Sequence, residues 1–66
     1  MANKLKEMRY KRMLTISELA RRSGLTRPVI WRIETDPKYN PRYSTMSALA
    51  KALEMPVIDI FFTDNG

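Results

Sequence analysis

The chain has 66 residues, a net charge of +5 from twelve Lys and Arg against seven Asp and Glu, and neither cysteine nor histidine. So short a sequence makes one domain at most, 1–66, and it buries only about 60% of its unfolded surface, which favours helices with local contacts. Disulfides, zinc centres of the usual kind and Ser-His-Asp catalysis are excluded, and no metal or cofactor is expected.

Leu5, Met8 and Arg9 stand at i, i+3, i+4, with Met13 closing the segment. This spacing predicts a first helix over about 3–13, with Asn3 as N-cap. Thr15 precedes Glu18 by three positions, a capping-box spacing, so a second helix starts at about Ile16 with Leu19 and Ala20 inward. Gly24 is placed to take the left-handed C-cap of that helix. A third helix follows to about Thr35, with Ile30 and Ile33 on one face. Pro28 leaves its start open, because proline disfavours helical geometry at the residue before it. Either Arg27 is the effective N-cap and the helix starts at Pro28, or Thr26 caps and Arg27 is slightly strained.

Pro37 and Pro41 interrupt the next stretch, so 36–43 is a loop. A fourth helix is expected over about 44–54, capped by Ser44 or Thr45, with Leu49, Ala50 and Leu53 inward and Met46 behind them. Pro56 suits the first turn of a last helix over about 56–62. Val57, Ile60 and Phe61 would face the core. No period-2 pattern competes, so the fold class is all-α.

Charge is unevenly spread. Residues 1–42 hold eleven basic and four acidic side chains, hence +7, while residues 43–66 hold one basic and three acidic, hence −2. A basic half suggests a polyanionic partner; a merely solubilising surface is the alternative. No stretch approaches the roughly 20 apolar residues of a membrane span, and no secretory apolar region follows Met1. A soluble, cytoplasmic chain without a membrane partner is expected.

The informative stretch is Thr15 to Glu34, TISELARRSGLTRPVIWRIE. It reads as two short helices joined by a tight turn at Gly24, with a small Ala20 that lets them cross closely. A helix projected in this way fits a groove about 12 Å wide. Here the sequence resembles the phage-repressor and Cro type of helix-turn-helix regulator, also called the xenobiotic-response-element type. The resemblance is carried by LKEMR at 5–9, TISELARRSGLT at 15–26, VIWRIE at 29–34 and LAKALEMPVIDIFF at 49–62. It implies a compact five-helix bundle, the lambda-repressor-like DNA-binding domain, and a sequence-specific regulator of transcription bound to a double-stranded operator. Three positions depart from the family. Ile16 stands where many members have a phosphate-gripping Gln, and Thr35-Asp36-Pro37 and Glu54 stand where many have Gly.

With Ile30 and Ile33 inward, Arg32 and Pro28 face away from the core, Trp31 flanks them, and Arg27 reaches the same side. The resemblance places base readout on Arg27, Pro28 and Arg32. Arginine pairs bidentately with guanine O6 and N7, whereas Pro28 offers only apolar contact, as with a thymine methyl. Trp31 is read either as a ring over the loop at 36–43 that shields the core, or as a contact to sugar or phosphate.

Phosphate contacts are expected from the starts of the second and third helices, through Thr15, Ser17, Thr26 and the backbone at Ile16. The loop adds Lys38, Tyr39, Asn40 and Arg42, of which Arg42 best matches a family phosphate position. Lys4, Lys6, Lys11 and Arg12 are assigned to the general field. The resemblance further implies a largely buried structural ion pair between Arg9 and Glu34.

Ile58 and Phe62 form a second apolar stripe at i, i+4. They are candidates for a homodimer contact, or else complete the monomer core. The expected mechanism is a dimer that occludes or assists RNA polymerase, most simply a repressor. The rival reading is a protein-binding module, such as the antitoxin of a toxin–antitoxin pair, with Ile58, Phe62 and Trp31 holding the partner protein. Enzymatic activity is not expected, because the carboxylates show no paired arrangement and no phosphate-cradling Gly loop exists.

Overall fold

In the computed structural model, residues 2–62 are described, and they form five helices with no strand among them. These are α1 (Leu5–Lys11), α2 (Ile16–Ser23), α3 (Arg27–Thr35), α4 (Tyr43–Leu53) and α5 (Val57–Phe61). Residues 63–66, which include one of the acidic residues counted above, lie outside the described residues, as does Met1. Helix α2 packs on α3 and on α4, α5 packs on α4, and α1 bridges α3 and α5. Leu5, Leu19, Ile30, Ile33, Leu49, Leu53 and Ile60 are fully enclosed. They come from all five helices, so each helix is fixed by the others more than by its own propensity.

Local signals explain most boundaries. Thr15 accepts from the Glu18 N–H at 3.0 Å, and Glu18 accepts from the Thr15 N–H at 2.9 Å, a complete capping box. Gly24 ends α2 at φ 77°, with its N–H donating to the Ala20 carbonyl. Thr26 caps α3 through the Val29 N–H, which puts Arg27 and Pro28 in its first turn. That resolves the choice left open at Pro28: there the missing N–H is one the helix would leave unpaired anyway.

Other boundaries differ from the sequence expectation. The first helix is shorter than 3–13, with Lys4 at the N-cap position. Asn3 acts one residue earlier: its Oδ1 accepts from the Leu5 N–H at 2.9 Å, while its Nδ2 donates to the Ile33 carbonyl at 3.1 Å. At the other end Met13 turns left-handed at φ 57° and is 89% exposed, and Leu14 takes the buried position instead. The fourth helix begins at Tyr43 with Arg42 as N-cap, and neither Ser44 nor Thr45 caps it. Pro56 precedes α5 as its N-cap. Glu54 closes α4 at φ 57°, the left-handed geometry that glycine adopts at lower cost.

Arg12 is also more than a source of positive field. Its Nε donates to the Leu53 carbonyl at 2.8 Å and its Nη2 to the Glu54 carbonyl at 3.3 Å, so it caps α4 from just past the end of α1.

Candidate nucleic-acid interface

Helix α3 presents two sides of opposite character. Ile30 and Ile33 are buried, while Arg27, Pro28, Trp31 and Arg32 are all exposed. The cause is the 100° turn per residue, which sends 28, 31 and 32 to the side opposite 30 and 33.

The start of α3 meets α2 in an open crevice lined by Ser17, Ala20, Arg21, Gly24, Leu25, Thr26, Arg27 and Pro28. Across it the Arg27 Nη1 donates to Ser17 Oγ at 3.5 Å. Arg21 belongs to this crevice, although the sequence reading passed over it; its i+4 spacing from Ser17 was the available signal. A second, more apolar groove runs along α3 between Pro28, Trp31, Arg32, Thr35, Asp36 and Pro37. Trp31 is 59% exposed and shares this groove with Asp36 and Pro37 of the loop at 36–43. Its neighbours on this groove are prolines and polar residues at the surface.

Of the other candidate residues, Ser17 and Thr26 line the crevice beside Arg27 and Pro28. Ser17, Thr15 and Thr26 are exposed, and the Thr15 and Thr26 oxygens already accept capping bonds, so each has a hydroxyl proton left to donate. Ile16 is half-buried against the core and contributes no polar atom beyond its backbone. In the loop, Lys38, Asn40 and Arg42 are exposed and Tyr39 is half-buried. Asp36 organises this loop by accepting from the Lys38 N–H at 2.9 Å. It also lies 3.6 Å from Arg32 Nε, a pairing at i, i+4 that the sequence reading missed.

Beneath this face Arg9 joins α1 to α3. Its Nε and Nη2 donate to the two Glu34 carboxylate oxygens at 2.8 and 3.0 Å, and its Nη1 donates to the Leu14 carbonyl at 2.9 Å. Both side chains are almost fully enclosed. The hydrogen bonds to Glu34 hold the Arg9 pKa above its ordinary value, against the opposing pull of burial. Glu18, at the start of α2, is held below its ordinary value mainly by the Thr15 N–H, and further by the Thr15 hydroxyl and the charges of Arg22 and Arg21.

Ile58 and Phe62 of the α5 segment are 59% and 52% exposed, while Ile60 and Phe61 are buried. Among the described residues no helix is long and apolar enough to cross a membrane. No group of three potential metal-binding side chains occurs there either.

Compared with known proteins, residues 5–60 match the family model described as helix-turn-helix. No curated protein matches the chain.

Proposed function

Because the chain belongs to the phage-repressor and Cro type of helix-turn-helix regulators, a DNA-binding family, we propose that it is a repressor that binds a palindromic operator as a homodimer with α3 in the major groove. The observation that carries this reading is the outward side of α3: two arginines, a proline and a tryptophan exposed together on a helix whose isoleucines are buried. Arg27 and Arg32 contact guanines, and Pro28 packs against a thymine methyl. Thr15, Ser17, Thr26, Trp31, Lys38, Asn40, Arg42 and the Ile16 backbone hold sugars and phosphates on either side, whereas Tyr39, half-buried with its ring against Arg32, drops out of the phosphate set expected from the sequence. The pair of Arg9 and Glu34 fixes the angle of α3 to the body and touches no DNA.

One such module buries roughly 600–1,000 Å² on DNA, too little for tight specific binding, and pairing on half-sites about 34–36 Å apart supplies the rest. The exposed Ile58 and Phe62 are the proposed two-fold contact. They lie in the acidic part of the chain, which suits a surface held away from phosphates. Bound across a promoter, the dimer excludes RNA polymerase. Selection of bound sequences from random duplex DNA tests the proposal. A palindrome with guanines in each half is the expected product, and enrichment of no sequence would refute it.

A further inference from the structure

Arg32 does not leave α3 as an isolated side chain. Its guanidinium carbon lies 4.6 Å from the centre of the Tyr39 ring, and its Nε lies 3.6 Å from Asp36 Oδ2. Both neighbours are themselves held in place. The Asp36 N–H donates to the Arg32 carbonyl at 2.9 Å, and Asp36 Oδ1 accepts from the Lys38 N–H. The Tyr39 N–H donates to the Asp36 carbonyl at 3.1 Å, and its side chain packs against the core.

A guanidinium is a rigid planar fork with two faces and several N–H edges. Here the ring covers one face and the carboxylate stands at the Nε edge. The edge formed by the two Nη groups is left over, and it is an edge that can meet guanine O6 and N7 together. A carboxylate beside Arg32 also disfavours a phosphate there, which argues for a base edge over a backbone role.

We infer that Asp36 and Tyr39 are positioning residues that set specificity by holding the Arg32 guanidinium in one plane for a guanine. The inference rests on the reading of Arg32 as a base contact. Ordering the fork during folding removes a loss of side-chain freedom that DNA binding would otherwise incur.

The test uses four operator duplexes that differ only at the position whose preference Arg32→Ala relaxes, titrated with the 66-residue chain. Tyr39→Phe should retain the guanine preference, because the ring remains. Tyr39→Leu and Asp36→Asn should each narrow it about two- to fivefold, the range of one exposed cation–π or ion-pair contact. Tyr39→Leu should leave the salt slope unchanged, since no phosphate contact is lost. Asp36→Asn should raise affinity for all four duplexes while still narrowing their ratio.

If Arg32→Ala relaxes no position, the base contact itself fails, and the inference with it. If Arg32→Ala relaxes one position while Tyr39→Leu and Asp36→Asn keep the full preference there, the positioning role alone is overturned. Equal losses in Tyr39→Phe and Tyr39→Leu would also overturn it, by moving the effect to the phenolic hydroxyl. Tyr39→Leu also thins the packing, so a readout in the unbound chain is needed as well. Ring current should shift the Arg32 Hδ protons upfield in the wild type and in Tyr39→Phe, and unshifted protons would contradict the stacking.

Discussion

A guanidinium that is almost completely enclosed is tolerable only if its charge is answered, and Arg9 meets that condition with three hydrogen bonds. Truncating either Arg9 or Glu34 strands the other charge and should cost about 3–5 kcal/mol, enough to unfold a domain of this size. Denaturant unfolding of Arg9→Ala and Glu34→Ala checks this. The paired replacement Arg9→Met with Glu34→Leu should recover much of the loss. Diminished DNA binding in the single variants therefore reports on folding and not on contacts. Arg32→Ala belongs to the other class. It should leave the melting temperature nearly unchanged, because its own side chain is largely exposed, and remove about 1–3 kcal/mol of base discrimination. Arg32 was legible as outward-facing from helical periodicity alone. Of its neighbours, Asp36 stood at a readable i+4 spacing, whereas Tyr39 was not legible, because it reaches Arg32 from a loop whose path periodicity does not describe.

Helix ends show where local chemistry decides and where it is overruled. Thr15, Glu18 and Gly24 were readable because each acts within four residues of its own position. The Glu18 carboxylate gives that cap a pH dependence. Its folded pKa is depressed, so its contribution is present at neutral pH and is lost as pH falls from the ordinary carboxylate range through the lower folded value. Thermal melting of the wild type should therefore fall more steeply on acidification than that of Glu18→Gln. Equal slopes would contradict the capping box as its cause. At Gly24 an added Cβ would meet nothing within 4 Å, so the cost of Gly24→Ala is that of the backbone alone, about 1–2 kcal/mol. Glu54 holds the same left-handed geometry with a side chain, so Glu54→Gly should raise stability, read as a higher melting temperature. Ser44 and Thr45 carried a capping signal that tertiary packing overrode, starting α4 two residues before Thr45. Arg12 was equally illegible as a cap: the carbonyls it satisfies lie forty or more residues away in the chain.

At the scale of the molecule the five-helix plan was legible because core residues recur at helical spacings in every segment. The relation of one chain to another is not encoded in that way; the exposed Ile58 and Phe62 are the proposed contact. Sedimentation of Ile58→Asp/Phe62→Asp should show a lower mass than the wild type, and an unchanged mass would remove these residues from the dimer contact. With about six to ten phosphates neutralised per dimer, affinity should fall on the order of 10³–10⁵ between 50 and 200 mM salt. The most direct test of α3 in the major groove is protection of guanine N7 from methylation on the selected operator. Bound wild type should protect guanines in both half-sites, about one helical turn apart, and Arg32→Ala should lose one protected guanine from each half. Guanine N7 left reactive under saturating protein, or a pattern identical in Arg32→Ala, would contradict it.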